Sequence, residues 1–236
     1  MEMFTRLVKR KTARPSFNLH QECHDTQLTH LLFADDVVLF CRGDIGSVET
    51  LKTCLDQFGD ISGLRVNRAK SAIFFGSVDE GVKTQILEHT GYREGAFPFR
   101  YLGVPISPHK LTSMEFQPLL NKISSYITFW ARRSLSFAGK RELIASVPQG
   151  SAGFWLSIFS VPGDVIKRLV AMCRNFLWKK PRVKWSMITA PREEGGLGLL
   201  DLTSWNKACM AKYLWHNKDR RDSLWVRWFY HHHLGV

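Results

Sequence analysis

Residues 31–40 have the sequence Leu31-Leu32-Phe33-Ala34-Asp35-Asp36-Val37-Val38-Leu39-Phe40. Two short apolar runs flank a pair of adjacent carboxylates. Runs that are this short, apolar and partly β-branched predict buried strands rather than helices. Because neighbouring side chains on a continuous strand point to opposite faces, we expect Asp35 and Asp36 at or beside a hairpin turn, where both reach one edge of the sheet.

The Asp35–Asp36 pair admits two interpretations. Carboxylates beside apolar strands are costly unless water, a base or a metal ion compensates their charge. Mg²⁺ is commonly bound through one or two carboxylates, with substrate phosphates supplying further ligands, so the pair is a candidate Mg²⁺ site. The alternative is a solvated turn, because Asp is a favoured turn residue for local backbone reasons.

The sequence around this pair resembles a known family. Residues 33–36 match the (Tyr/Phe)-X-Asp-Asp signature of reverse transcriptases, in the form common to non-LTR retrotransposons. Six later segments resemble further motifs of LINE-type reverse transcriptases, particularly those of plants, and they occur in the right order. These segments are residues 62–71, 99–105, 135–140, 173–178, 195–198 and 224–228.

The resemblance implies an α+β fold. It comprises a partial polymerase palm, with a small antiparallel sheet and packed helices, followed by a mainly helical thumb and a helical tail. The corresponding segments are residues 1–111, 112–180 and a Trp-rich C-terminal segment at 181–236. The resemblance also implies RNA-directed DNA polymerisation, which is a nucleotidyl transfer. Asp35 and Asp36 would then be catalytic Mg²⁺ ligands, and Lys70 a catalytic cation near the departing pyrophosphate. For Lys70 the alternative is a solvated turn lysine.

Hydrophobic periodicity predicts helices on both sides of the palm–thumb boundary. One helix is predicted with Ser47 as its N-cap and with Gly59 and Gly63 at its end, because Val48, Leu51, Leu55 and Phe58 fall on one helical face. After residue 112 the period changes from two to 3.6, and Ser113 and Asp164 mark helix starts. The three predicted thumb helices cover residues 116–130, 135–147 and 165–177. Pro148 and Gly150 interrupt the helical pattern after the second.

The charge balance predicts a polyanionic partner, since 33 Lys and Arg residues outweigh 21 Asp and Glu residues. For each single charge a solvated polar face is the alternative, but the excess of one sign across the three thumb helices favours a surface that faces phosphates. By resemblance the thumb grips RNA or an RNA–DNA duplex. The predicted nucleic-acid-binding cations are Arg132, Arg133, Lys140, Arg141, Lys167 and Arg168, with Arg174, Lys179 and Lys180 on the same exposed sides.

Two further segments carry open alternatives. Tyr101 and Gly103 lie in a predicted strand pair that adjoins the primer terminus in the family, although their spacing also fits a simple apolar hairpin. The tail is rich in tryptophan, and such residues belong to cores and interfaces more often than they stack on bases. We therefore expect core positions for most of these residues, which are Trp185, Trp205, Trp215, Trp225 and Trp228.

Cysteine and histidine provide no second metal site in the sequence. The five cysteines show no C-x-x-C pair or zinc spacing and predict packed, reduced thiols of an intracellular protein, with nucleus or cytoplasm left open. His231, His232 and His233 are expected to form a polar chain end. The uncharged segment 143–163 contains two prolines and three glycines, which argues against a membrane helix.

The catalytic set is incomplete in this sequence. Two-metal chemistry needs ions about 3.5–4 Å apart, and two adjacent carboxylates cannot hold both. In the family a third carboxylate comes from an earlier palm strand, and Glu2, Glu22 and Asp25 match no such motif. We therefore expect a truncated fragment that is inactive alone, with weak Mg²⁺ binding and use of a dNTP only if the missing palm is supplied. The alternatives are a non-catalytic basic nucleic-acid-binding module and a non-functional remnant, and the oligomeric state stays open.

Overall fold

The stretch around the two carboxylates forms a hairpin in the computed structural model, which describes residues 1–178 and 183–234. Strands β1 (His30–Phe33) and β2 (Asp36–Leu39) pair antiparallel, with Phe33 opposite Asp36. The loop therefore consists of Ala34 and Asp35. Ala34 has a φ of 50°, in the left-handed region that non-glycine residues seldom adopt, and this conformation reverses the chain in two residues.

The remaining strands form two more two-stranded ladders. Strands β3 (Ala72–Ile73) and β4 (Arg93–Glu94) pair in parallel, while β5 (Phe99–Tyr101) and β6 (Val104–Ile106) form a second tight hairpin. Helices account for most of the other described residues, so the predicted α+β class is confirmed. They are α1 (Glu2–Thr12), α2 (Ile45–Ser62), α3 (Glu80–Thr90), α4 (Gln117–Ala131), α5 (Phe137–Ser146), α6 (Pro148–Ile158), α7 (Gly163–Leu177), α8 (Trp185–Ile188), α9 (Leu202–Lys218) and α10 (Leu224–Phe229), followed by a π-helical turn (Tyr230–Leu234).

The chain divides into two compact units. The first contains Met1–Phe99 and Asp222–Val236, and the second contains Arg100–Arg221. The three segments expected from the sequence rest on resemblance rather than on contacts, and they stay a prediction. The boundary between the second and third of them, with Lys179 and Lys180, lies outside the described residues.

The β1–β2 hairpin of the first unit packs against a core to which both α1 and α2 contribute. Leu51 and Cys54 of α2 are buried with residues of α1, and Leu32 and Leu39 of the hairpin pack against them. Burial of this apolar surface fixes the base of the hairpin, at roughly 25 cal/mol for each Å² removed from water. No residue of β1 or β2 is fully buried, so the expectation of buried strands is wrong: only one face of the hairpin meets this core. The tip, which carries the two carboxylates, projects beyond it.

The start of α2 differs from the expected one. Asp44, not Ser47, is the N-cap, because its carboxylate accepts a hydrogen bond from the Ser47 backbone N–H at 2.8 Å. A carboxylate at this position also interacts favourably with the positive end of the helix dipole. Ser47 is buried, and its hydroxyl accepts a hydrogen bond from the Asn18 N–H. Helix α2 ends as predicted, with Gly63 in the left-handed conformation at φ 74°.

The thumb region contains four helices where the sequence predicted three. Helix α5 ends at Ser146, and the additional helix α6 begins at Pro148. Proline favours the first turn of a helix, where no intrahelical donor is needed. The residue that indicates an interruption therefore opens a new helix. Ser113 is likewise not the N-cap of α4; its hydroxyl donates to the Asp164 carboxylate at 2.8 Å.

The core of the second unit is formed by helices α4, α6 and α7. Its fully buried members include Phe116, Ile123, Leu156 and Val165, and a neighbouring cluster joins α5 and α7 around Ile144. Leu202 of α9 belongs to the first of these clusters, so α9 packs on the same core.

One buried amide links α9 to the end of α6. The Asn206 side chain accepts a hydrogen bond from the Val161 N–H at 3.1 Å, and it donates to the Leu156 and Phe159 carbonyl oxygens, each at 2.7 Å. The last carbonyls of a helix have no partner within the helix itself. Asn206 supplies that partner from 47–50 residues along the chain.

Within the described residues, no helix is both long enough and apolar enough to cross a membrane.

Candidate functional site

Asp35 and Asp36 lie at the tip of the β1–β2 hairpin, as the sequence predicted. Asp35 is in the two-residue loop and Asp36 opens β2, and both carboxylates are exposed. Phe33, opposite Asp36, is also exposed. The tip therefore presents two anionic groups and one aromatic ring to solvent. This arrangement suits either a ligand-binding edge or a solvated turn.

The described residues do not complete a metal site at this tip. Mg²⁺ prefers six oxygen ligands in near-octahedral geometry and retains several waters. Among residues 1–178 and 183–234, no three His, Cys, Asp or Glu side chains are grouped so that they could hold a metal ion. Asp35 and Asp36 alone therefore do not fit the catalytic Mg²⁺ pair that the resemblance implies.

Lys70 occupies a 3₁₀ turn at Arg68–Lys70 in the first unit. Its backbone N–H donates to the Asn67 side chain at 3.2 Å, and its ammonium is exposed. No ion pair joins Lys70 to Asp35 or Asp36, all three of which the structure describes. Its role as a catalytic cation stays a prediction.

The β5–β6 hairpin lies beside a groove of about 410 Å³ in the second unit. Gly103 forms its turn at φ 82°, and Tyr101 is half-buried in β5. Arg100 and Lys122 bring two cations to the groove, and the aromatic rings of Phe154 and Trp155 complete its wall. Arg100 and Lys122 were not predicted as binding residues, because each is a single basic residue in an otherwise ordinary segment.

Four of the six predicted thumb cations lie near the two ends of α4. Arg168 donates to the Gln117 side chain at 3.1 Å, at the first residue of α4, and Lys167 is its neighbour. Arg132 and Arg133 follow the last residue of α4. Fifteen residues separate Gln117 from Arg132, which at 1.5 Å of rise per residue is about 22 Å. The structure therefore does not bring the predicted cations into one cluster.

Arg141 is not on an exposed side as the sequence suggested. Only 15% of its side chain is accessible, and its guanidinium donates to the Leu197 carbonyl oxygen at 3.0 Å and to that of Gly198 at 3.2 Å. Lys140 is half-buried, with its ammonium 5.7 Å from the centre of the Phe176 ring. Arg141 thus stabilises the turn at Leu197 and Gly198 through these two hydrogen bonds.

The outward face of α4 has the composition of a surface that contacts a polyanion. Helix α4 contains no acidic residue. Its outward face forms a shallow groove of about 470 Å³ rich in amides and hydroxyls, and the exposed ring of Phe129 stacks against the Arg133 guanidinium at 4.9 Å. Such groups commonly contact phosphate oxygens. The groove-lining residues are Asn121, Ser124, Ser125, Thr128, Phe129 and Arg132, and they follow helical spacings opposite the buried stripe.

The tryptophans of the tail are more exposed than expected. Trp205, Trp215 and Trp225 are exposed, and Trp185 and Trp228 are half-buried. The expectation of core positions is therefore wrong for three of the five. For the tryptophans of α9 the sequence indicates this exposure, because the apolar residues of α9 do not form a strong stripe along one face. Burial of one face of α9 would therefore not be expected to bury its tryptophans.

The histidines near residue 231 are exposed, as a polar segment should be, and two of them contact acidic side chains. His231 Nε2 lies 2.7 Å from the Asp25 carboxylate, and His232 contacts Glu22. Both partners belong to the loop that precedes β1. These pairs connect the last described residues of the first unit to its N-terminal part.

Burial sets the character of the thiols and of one histidine. Burial raises the pKa of both Cys41 and Cys173 to about 12, which makes them unreactive structural thiols. Burial, with a smaller contribution from the nearby Lys9 charge, lowers the pKa of His30. The His30 ring bridges the hydroxyls of Thr29 and Thr5 at 2.9 and 3.1 Å, which ties β1 to α1.

Comparison with known proteins relates part of the chain to a plant protein. No family model matches this chain. Over 130 residues the chain is 31% identical to a putative ribonuclease H protein of Arabidopsis thaliana. The match covers 52% of this chain and 21% of the Arabidopsis protein, so the chain spans about a fifth of the length of that relative.

Proposed function

We propose that this chain is a part of a plant LINE-type reverse transcriptase, and that these residues bind RNA or an RNA–DNA duplex without extending a primer by themselves. The observation that carries the binding proposal is the outward face of α4. It combines amides, hydroxyls, an exposed phenylalanine and terminal arginines with a complete lack of acidic residues.

The family proposal is supported by motif order and by the Arabidopsis similarity. Seven motifs appear in the expected order, and the first of them forms the exposed Asp35–Asp36 hairpin tip. The relative is named a ribonuclease H protein, and an enzyme of that name acts in nucleic-acid metabolism. Together these observations favour a retroelement origin over an unrelated basic protein.

The proposed lack of polymerisation follows from the carboxylates. In-line displacement between a 3′-hydroxyl and a triphosphate is stabilised by two ions that clamp the attacking and leaving oxygens. Asp35 and Asp36 are the two candidate ligands, and no third suitable side chain is grouped with them among the described residues. Binding is therefore the activity that this part of the protein retains on its own.

A salt series tests the binding surface. Anisotropy of a labelled RNA–DNA duplex should show binding that weakens steeply with salt, because each neutralised phosphate contributes about 0.9 to the log–log slope. A variant with Lys122, Arg132 and Arg133 replaced by Gln should flatten the slope by about three units if each contacts one phosphate. The matched control removes three exposed cations of the first unit, Lys9, Arg10 and Arg14.

The control should leave most of the slope intact. Equal slopes in the parent and the α4 variant would reject the α4 surface, and the absence of saturable duplex binding would favour a non-functional remnant. A separate Lys167→Gln, Arg168→Gln variant tests the other end of α4. Primer extension with Mg²⁺ or Mn²⁺ should be undetectable, whereas extension that disappears in Asp35→Asn would show a competent polymerase.

A further inference from the structure

Helix α9 presents a stripe that the duplex-binding proposal does not use. Trp205, Ala208, Lys212 and Trp215 are separated by three, four and three residues, so they follow one another along one face of the helix. Trp205 is 43% exposed and Trp215 is 59% exposed, and Ala208 and Lys212 are exposed between them. The two indoles are about 15 Å apart along the helix axis, at 1.5 Å per residue.

The opposite face of α9 is fixed, so the stripe cannot turn inward. Leu202 and Asn206 are buried, and Asn206 makes its three hydrogen bonds to the end of α6 and the following loop. Farther along α9, the Tyr213 hydroxyl donates to the Ser157 carbonyl oxygen at 2.9 Å. These contacts hold the helix along its length, and they leave the tryptophan stripe facing solvent.

The charge of α9 identifies the kind of partner. The helix contains Lys207, Lys212 and Lys218 and no acidic residue. The two flanking carboxylates are engaged locally, since Asp201 accepts hydrogen bonds from Ser204 and Asp219 accepts one from Arg221. A protein surface that packs on tryptophan would not require this excess of positive charge. A polyanion with flat aromatic groups would use both features.

We infer that the α9 stripe binds single-stranded nucleic acid. Bases stack on the exposed faces of Trp205 and Trp215, and the Lys212 ammonium between them contacts a backbone phosphate. Ala208 leaves room for the strand to approach the helix. Stacking on aromatic side chains tolerates any base, so binding should show little sequence preference. Paired bases offer no free faces, so a blunt duplex should not compete efficiently for this stripe.

Substitutions on one helix separate stacking from charge. Each Trp→Ala change should weaken binding of a labelled oligouridine about tenfold, whereas the Trp205→Phe, Trp215→Phe double variant should retain most of the affinity. Leu214→Ala is the control for loss of exposed apolar surface on α9, because Leu214 is 69% exposed and lies off the stripe. Lys212→Gln should weaken binding and flatten its salt dependence by about one unit, and Lys207→Gln should do so less.

The result is distinguishable from that of the duplex proposal. The α4 variant should lose duplex binding and keep oligouridine binding, and the α9 variant should do the reverse. Oligouridine affinity that is unchanged in the Trp205→Ala, Trp215→Ala double variant overturns the inference. So does a tryptophan-dependent self-association in sedimentation without any change in oligouridine binding, since the stripe would then be a protein interface. Circular dichroism of each variant confirms that the helices are intact.

Discussion

Arg141 and Leu197 are joined by a hydrogen bond of 3.0 Å from the guanidinium Nε to the backbone carbonyl oxygen, across 56 residues of sequence. A second bond reaches the Gly198 carbonyl oxygen at 3.2 Å. An arginine that resembles a phosphate-binding residue in the sequence therefore holds a turn. Its side chain is only 15% accessible to solvent. A substitution of Arg141 should therefore change the stability of the fold, whatever its effect on nucleic-acid binding.

We expect Arg141→Gln to lower the free energy of unfolding by about 1–3 kcal/mol, because two carbonyl oxygens lose a charged donor. Arg132→Gln, at the exposed end of α4, is the matched control and should leave the urea midpoint within measurement error. Urea denaturation followed by circular dichroism measures both. Identical midpoints for the two variants would show that the contact with Leu197 contributes nothing to stability.

Asn206→Ala should be among the more damaging single substitutions in the second unit. It removes three hydrogen bonds and leaves the Leu156 and Phe159 carbonyl oxygens and the Val161 N–H without that partner. We expect a loss of about 2–4 kcal/mol, since unsatisfied buried groups cost more than a hydrogen bond contributes on average. Thermal unfolding of Asn206→Ala and of Asn175→Ala, an exposed asparagine on α7, makes the comparison. Equal melting temperatures would contradict the expectation.

His30 should make the first unit less stable in mild acid. Burial first, and then the Lys9 charge, lower its folded-state pKa below the ordinary value of 6.5. The unfolded chain therefore takes up the proton at a higher pH than the folded chain. The contribution of His30 to folding stability is present above about pH 6.5 and is lost as the pH falls toward the folded-state pKa.

The measurement is the difference in unfolding free energy one pH unit above and one pH unit below that ordinary value. His30→Gln should show a smaller difference than the parent. His109→Gln, at an exposed position, should behave like the parent. A His30→Gln variant with the full acid sensitivity of the parent would place the titrating group elsewhere.

Mg²⁺ should bind the Asp35–Asp36 tip with an affinity no tighter than millimolar, because Mg²⁺ gives up its waters reluctantly and only two exposed carboxylates are available. Isothermal titration calorimetry should show no saturable Mg²⁺ binding in the micromolar range, either for the parent or for Asp36→Asn. A micromolar site in the parent that is lost in Asp36→Asn would identify a ligand that the two carboxylates do not provide.

Local signals in the sequence predicted the elements that depend on neighbouring residues. The Asp35–Asp36 hairpin, the strand pair around Tyr101 and Gly103 and the glycine end of α2 follow from short-range turn and capping chemistry, and all three are confirmed. Helix α6 was missed because Pro148 both ends one helix and opens the next. A proline is compatible with the end of the preceding helix and with the first turn of a following one, so Pro148 alone does not show whether a helix follows it.

The candidate site was less predictable, because it depends on residues that are distant in sequence. The hydrogen-bond partners of Arg141 are 56 and 57 residues away, and no local pattern indicates them. The exposure of Trp205 and Trp215 likewise depends on Asn206 and Tyr213, which face the body of the unit. Composition predicted a basic surface, but the direction in which each helix faces had to come from packing.

The contacts of His231 with Asp25 and of His232 with Glu22 have a consequence for synthesis on the ribosome. Residues 100–221 emerge between the two parts of the first unit. At roughly 5–20 residues per second, their translation takes on the order of ten seconds. During that interval the loop before β1 lacks its histidine partners, whereas the second unit has all of its own residues as soon as residue 221 has been translated. The second unit can therefore complete its fold before the histidine contacts of the first unit form.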